Sequence, residues 1–223
     1  MQSEITKVRR DPAAIVRMYS RVAPAYELWG RLADSRVRRT VRELVREAGG
    51  GTVLEVGCGT GAVLVELARD NTAGTTIGVD LAPGMSAAAR RRIERAGLER
   101  TEVRSGNACR LDLADGSVDT LTSSYVLDIL SSEDVLVGLR EFRRVLRPGG
   151  RLVLVSVTPG ERRLHRLPEL LYGSRLPFTS NCRGIRTAPL LAALGFGPVE
   201  RRYVSQLCLP SEVVCATRGA RRP

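Results

Sequence analysis

Two carboxylates and three glycines are the residues of this chain best placed to do chemistry. Glu55 precedes Gly57, Gly59 and Gly61 in Val53-Leu54-Glu55-Val56-Gly57-Cys58-Gly59-Thr60-Gly61, and Asp80 ends Thr76-Ile77-Gly78-Val79-Asp80, 19 residues after Gly61. Glycine admits positive φ and lets a ligand approach the backbone without meeting a Cβ. The apolar run before the glycines, and Ala62-Val63-Leu64-Val65-Glu66-Leu67-Ala68 after them, read as strand, tight loop and helix. Such a helix aims free N–H groups back at the loop, which is how a nucleotide-like cofactor is held at the first crossover of a parallel sheet.

The spacing is Gly-x-Gly-x-Gly, one residue tighter than the Gly-x-Gly-x-x-Gly of dinucleotide sites, although Ala62 stands where that third glycine would fall and alanine is tolerated there. The acidic residues discriminate better. Glu55 beside a pyrophosphate would be repulsive, whereas it suits a ligand with an amine and no phosphate. Asp80 is positioned to accept both ribose hydroxyls of an adenosine.

The surrounding pattern alternates strand and helix. Strands are expected near 52–57, 76–80, 101–105, 118–123 and 150–157, and helices near 61–69, 84–96 and 132–146. Ahead of them, Asp11-Pro12 opens one helix and Asp34-Ser35 another, the latter with Val37, Val41, Leu44 and Val45 on one face. Gly49-Gly50-Gly51 is a hinge into the first strand. The C-terminal part reads as a helix near 188–195 with a glycine stop, then strands at 198–207 and 211–218 joined around Pro210. At 223 residues, one α/β domain accommodates all of this: a helical cap at 1–48, a cofactor-binding core at 50–157, an acceptor-side insertion at 158–187, and a closing helix and hairpin at 188–223.

"VLEVGCGTG" followed by "GVDLAPGM" resembles the class I S-adenosylmethionine-dependent methyltransferases. Ser105-Gly106-Asn107-Ala108 is similar to the family's "GDA". Leu113-Ala114-Asp115-Gly116-Ser117-Val118-Asp119 resembles "LPFxDxSFD", and the run from Leu139 to Leu152 resembles "EixRVLkPGGrl". The four motifs fall in order over about 50–157, and the resemblance is to the ubiquinone/menaquinone-biosynthesis branch of "methyltransferase 11" type. It implies a Rossmann-like seven-stranded sheet, mostly parallel with an antiparallel last strand, S-adenosyl-L-methionine as cofactor and S-adenosyl-L-homocysteine as product. It also implies that Glu55, Gly57, Cys58, Gly59 and Gly61 line the methionine and ribose, with small Cys58 a packing residue of the loop. By the same resemblance Asp80 takes the ribose hydroxyls, Leu81 and Met85 flank the adenine, Asn107 and Ala108 meet its edge, and Ser124 and Tyr125 close the site. The family has aspartate at position 107, accepting from the adenine amine; Asn107 is expected to accept through its amide oxygen.

Tyr19, Tyr26 and Trp29 put three of the nine aromatics within eleven residues. The family branch has a similar "YDxxAxxYD" element that folds over the cofactor. Tyr19 and Tyr26 are therefore candidates both for cofactor binding and for catalysis, by hydrogen bonding or by a ring near the sulfonium; the alternative is helix-packing aromatics. His165, the only histidine, is a candidate proton acceptor, kept neutral by Arg163 and Arg166, or else a surface residue of a basic helix. True quinone methyltransferases read approximately "FGLRNV" after the fourth strand. Here the residues are Ser123-Ser124-Tyr125-Val126-Leu127-Asp128, so the cofactor site carries over and quinone as acceptor does not.

Composition narrows the remaining choices. The five cysteines form no C-x-x-C pair and their number is odd, which with one histidine argues for free thiols, a reducing cytoplasmic setting and no metal site. No apolar stretch approaches ~20 residues, so no membrane span is expected. The net charge is +11, and a single lysine, Lys7, accompanies the arginines. Residues 1–50 carry 11 basic and 6 acidic groups, residues 51–146 carry 11 and 14, and residues 147–223 carry 13 and 4. The flanks are thus basic and the cofactor half mildly acidic.

The leading reading is a methyltransferase for a small amphiphilic, aromatic or anionic acceptor, working as a monomer or homodimer. The basic segment 158–187, with Leu167, Leu170, Leu171, Tyr172 and Phe178, would shape its pocket. An RNA or protein methyltransferase is the second reading. Against it, the chain lacks an Asn/Asp-Pro-Pro-Tyr/Phe motif, a Lys-Asp-Lys-Glu set and a Pro-Cys or Thr-Cys pair. A third is a biosynthetic enzyme of this fold that binds the cofactor without methyl transfer. A fourth uses the basic flanks to approach an anionic membrane surface.

Overall fold

The computed structural model describes residues 35–158, 185–206 and 209–219. Within them Val53, Leu54 and Val56, released from Gly49-Gly50-Gly51, form the first strand, β1 (Thr52–Val56), as their extended, apolar run predicts. The elements that follow are α2 (Ala62–Asp70), β2 (Thr75–Asp80), α3 (Pro83–Ala96), β3 (Thr101–Ser105), β4 (Val118–Ser124), α4 (Ser132–Val145), β5 (Leu146–Val157), α5 (Thr187–Ala193), β6 (Phe196–Gln206) and β7 (Leu209–Arg218); α1 (Ser35–Arg46) precedes them. For the elements among the described residues, expected and observed boundaries agree within a few residues; the helix expected from Asp11-Pro12 lies outside them.

The seven strands lie in the order β3-β2-β1-β4-β5-β7-β6. β1 to β5 are mutually parallel, and β7 runs antiparallel between β5 and β6. This is the mostly parallel sheet with an antiparallel last strand that the sequence implied. The chain moves outward from β1 through β2 to β3, then jumps back to β4 on the other side of β1. Ligands bind at such a reversal, beyond the carboxyl ends of the strands.

Both faces of the sheet are covered. Val53, Val153, Val155, Val213 and Cys215 turn toward Val37, Val41, Leu44 and Val45 of α1. Leu54, Leu121, Leu152, Leu154 and Val214, one residue out of phase, pack with Val135, Leu139 and Phe142 of α4 and with Leu190 and Leu191 of α5. Asp70, at the end of α2, accepts from Arg42 Nε (2.9 Å) and from Arg46 Nη2 (2.6 Å), which fixes α1 on α2. α4 begins with a cap, Ser131 Oγ accepting the Asp134 amide at 3.0 Å, and carries Glu133 and Asp134 first and Arg143 and Arg144 last, as the helix dipole favours. Among the described residues no helix is long and apolar enough to cross a membrane.

Candidate cofactor and acceptor site

The glycine loop hooks from β1 over the end of β2. The amides of Gly57 and Cys58 both donate to the Val79 carbonyl, at 2.7 and 3.1 Å. Gly59 N–H donates to Asp80 Oδ2 at 2.8 Å, and Ala82 N–H donates to Asp80 Oδ1 at 2.9 Å. Gly57, Gly59 and Gly61 have φ of 75°, 54° and 79°. Their surroundings differ. A Cβ on Gly57 would collide with Val126, and one on Gly61 would lie 3.1 Å from the Cα and Cβ of Ala89 on α3. A Cβ on Gly59 would meet nothing within 4 Å. Packing thus requires the outer two glycines, while the middle one faces open space.

Glu55 sits beneath this loop, 3% exposed. Its Oε2 is buried and makes no hydrogen bond among the described residues. Burial, and next the carboxylate of Asp80, pushes the Glu55 carboxyl well above its ordinary range. Asp80 is also raised by burial, against the opposing hydrogen bonds from Ala82 and Gly59. A buried polar atom without a partner costs free energy unless a ligand supplies one. Two carboxyl groups at one loop favour a cationic, phosphate-free ligand. S-adenosylmethionine, with its ammonium, sulfonium and ribose diol, matches that donor set. Asp80 keeps lone pairs beyond the two amides it accepts.

The remaining expected residues fall into distinct positions. Leu81, next to Asp80, is 49% exposed. Met85 is 2% exposed, so it fills the interior and offers almost no surface to a base. Cys58 and Ala108 are likewise buried. Cys58 lies over Gly78, whose Cβ would come within 3.0 Å of the sulfur. Asn107 is exposed, and its Oδ1 accepts the Cys109 amide at 2.9 Å, which leaves that oxygen a second lone pair. Tyr19, Tyr26, His165 and nearly all of the 158–187 insertion lie outside the described residues.

Ser124 ends β4 beside this loop and Tyr125 follows it, both half-buried. Tyr125 has φ of 60°, the one positive value at a non-glycine among the described residues. Backbone of this kind is costly for a bulky side chain and concentrates at functional sites. Its amide donates to the Val155 carbonyl at 2.8 Å, and its hydroxyl lies 3.1 Å from Ser211 Oγ on β7. Buried Asp128 accepts the Val157 amide at 3.0 Å.

Sequence reasoning missed the residues that brace the site. Arg144 donates to the carbonyls of Leu111 and Leu113, to Asp115 and to Glu141. Glu141 also accepts the Leu111 amide at 2.6 Å. Together they hold the segment after β3. The spacing of Glu141 and Arg144 at i,i+3 was the available signal. Asp119, the last residue of the motif over Leu113–Asp119, accepts the Thr52 amide at 2.7 Å and pairs with Arg147, joining β1 to β4 at their starts; the motif marks the residue but not its partners.

A family described as a methyltransferase domain matches residues 53–150. A demethylmenaquinone methyltransferase of Thermus thermophilus is 34% identical over 166 residues, covering 72% of this chain and 74% of that protein. A phosphatidylethanolamine N-methyltransferase of Cereibacter sphaeroides is 36% identical over 144 residues, covering 64% of this chain and 68% of that protein. Among solved structures, the apo form of the S-adenosylmethionine-dependent methyltransferase SibL superposes with a TM-score of 0.73 at 23% identity, over 98% of this chain and 65% of that one.

Proposed function

The chain belongs to the S-adenosylmethionine-dependent methyltransferase family, and from that premise we propose that it methylates a small amphiphilic acceptor held beyond the carboxyl ends of β4 and β5. S-adenosylmethionine supplies an electrophilic methyl group on a sulfonium. In this reading Glu55 carries the most weight, as the partner of the cofactor's ammonium, because its buried Oε2 has no hydrogen-bond partner among the described residues. Asp80 accepts the ribose hydroxyls, open-faced Gly59 lets the cofactor lie against the backbone, and exposed Leu81 supports the base. Alignment of acceptor, methyl and sulfur accounts for most of the catalysis in such a displacement.

The acceptor half of the cleft is walled by Tyr125, held in its left-handed conformation and tied to Ser211. Two relatives are named for demethylmenaquinone and phosphatidylethanolamine, both molecules with a polar head and a long apolar part. That common chemistry, with the net charge of +11, favours an amphiphilic acceptor of neutral or anionic character. The absence of the arginine–asparagine pair in Ser123–Asp128 speaks against a quinone itself.

The test is S-adenosylhomocysteine release from S-adenosylmethionine with three acceptor sets: reduced naphthoquinones, phosphatidylethanolamine vesicles with and without anionic lipid, and bulk RNA. Turnover on an amphiphile supports the proposal. Turnover on RNA alone, with steep salt dependence, would replace it with the nucleic-acid reading. Tight cofactor binding with no S-adenosylhomocysteine formed on any set would favour an enzyme that keeps its methyl group.

A further inference from the structure

Resting on the proposed cofactor site, we infer that Thr122 is a positioning residue for Glu55: its hydroxyl donates to the carboxylate from the strand side while the cofactor's ammonium binds it from the loop side. Two buried atoms carry this. Thr122 Oγ1 and Glu55 Oε2 are both enclosed, and neither has a hydrogen-bond partner among the described residues. β1 and β4 are parallel and pair Glu55 with Thr122 in register. Val53, two residues before Glu55, and Val153, which pairs with Thr122, both face α1, so Glu55 and Thr122 share that face. Neighbouring strands lie about 4.8 Å apart, a gap that a turn of the Glu55 carboxyl closes.

The other flank of Glu55 offers no rival hydroxyl. β2 places Gly78 beside it in register, with the Cys58 sulfur over that glycine, and a thiol is a weak donor. A carboxylate has more acceptor sites than one ammonium fills, and enclosed from water the rest need a donor, which a threonine hydroxyl always supplies. Valine has nearly the shape of threonine and would fill the same place with no polar atom to strand, so the buried hydroxyl costs the fold stability unless a partner uses it. Thr120 sharpens the assignment. Its Oγ1 is buried and unpartnered in the same way, but its in-register neighbour on β1 is Val53, which has no carboxyl to hold.

Calorimetric titration of the full chain with S-adenosylhomocysteine and with 5′-methylthioadenosine decides this. The second ligand keeps the nucleoside and the sulfur but lacks the ammonium, so effects on the rest of the site cancel in the ratio of the two affinities. Thr122→Val is expected to melt at or above the native temperature, to bind S-adenosylhomocysteine roughly tenfold more weakly and to leave 5′-methylthioadenosine unmoved. Thr122→Ser, which returns the hydroxyl, is expected to restore the ratio, and Thr120→Val to leave it at the native value. In a Glu55→Gln background, Thr122→Val is expected to move the ratio no further. A ratio that Thr122→Val leaves unmoved, or that Thr122→Ser or Thr120→Val moves as far, overturns the inference alone, with S-adenosylhomocysteine still bound. Failure of the native protein to bind S-adenosylhomocysteine overturns the cofactor site and the inference together.

Discussion

Asp80 accepts the Gly59 amide at 2.8 Å, so the carboxylate that ends β2 also fixes the loop that ends β1. Its other oxygen accepts the Ala82 amide and so sets the start of α3. One side chain thus holds the loop, the helix start and, in the proposed complex, the ribose. Asp80→Asn would turn an NH2 group onto one of two backbone donors. Stability is expected to fall by about 1–3 kcal/mol and S-adenosylhomocysteine affinity by roughly tenfold to a hundredfold. Urea denaturation and calorimetry measure the two; native-like affinity in the variant would remove Asp80 from the site.

Glu55 gives a prediction of opposite sign for stability. Its folded-state pKa is raised, first by burial and then by Asp80. The unfolded chain loses this proton near pH ~4.3 while the folded chain keeps it, so the residue progressively destabilises the fold above that pH and up to its raised value. Glu55→Gln removes the penalty. The variant is expected to melt higher than the native protein at pH 8 and equally at pH 4, while binding S-adenosylhomocysteine at least about tenfold more weakly. A lower melting temperature at pH 8 would mean that the carboxyl has a partner within the protein.

The glycines separate folding from binding. Gly59→Ala places its methyl in open space, so the fold bears only the left-handed backbone cost of roughly 1–2 kcal/mol, but the methyl occupies space the cofactor needs. Gly61→Ala pushes on Ala89 at 3.1 Å and disturbs the contact of α2 with α3. Thermal melts with and without S-adenosylhomocysteine are expected to show a large loss of ligand-induced stabilisation for Gly59→Ala. The larger loss of intrinsic stability is expected for Gly61→Ala. The reverse pattern would place the ligand elsewhere.

The sheet was readable because each strand announces itself locally. Val53 to Val56 and Thr75 to Asp80 are short, apolar and bounded by glycine or loop residues, and the spacing of Glu55 and Asp80 around the glycines follows from one strand-loop-helix unit. What escaped was non-local. The Tyr125 hydroxyl meets Ser211 across 86 residues, and Asp119 reaches the Thr52 amide across 67. No window of sequence contains such pairs. Asn107 is a local case: the backbone amide two residues on takes one lone pair of its side-chain oxygen, a turn contact that the residue type alone does not announce. Met85 has a helix position suited to a pocket wall, yet it lies inside at 2% exposure because the interior takes an apolar side chain wherever there is room.

Glu141 and Arg144 yield a prediction for acid stability. The hydrogen bonds from Arg144 hold the Glu141 carboxyl below its usual range, against the cost of its partial burial, and the Leu111 amide adds to them. A depressed folded pKa contributes stability that is present above the unfolded value of ~4.3 and is lost as pH falls through the folded one. Glu141→Gln is therefore expected to lose stability at pH 7 while differing little from the native protein near pH 2, so its stability varies less with pH between those limits. Arg144→Ala removes more, because the carbonyls of Leu111 and Leu113 lose their donor as well. It is expected to loosen the segment that carries Asn107 and to weaken cofactor binding without touching the cofactor. Hydrogen exchange over 107–117 checks this directly: faster exchange there, with α2 and β1 unchanged, is the expected pattern. Uniformly faster exchange would mean that the pair supports the whole domain and has no special part in shaping the site.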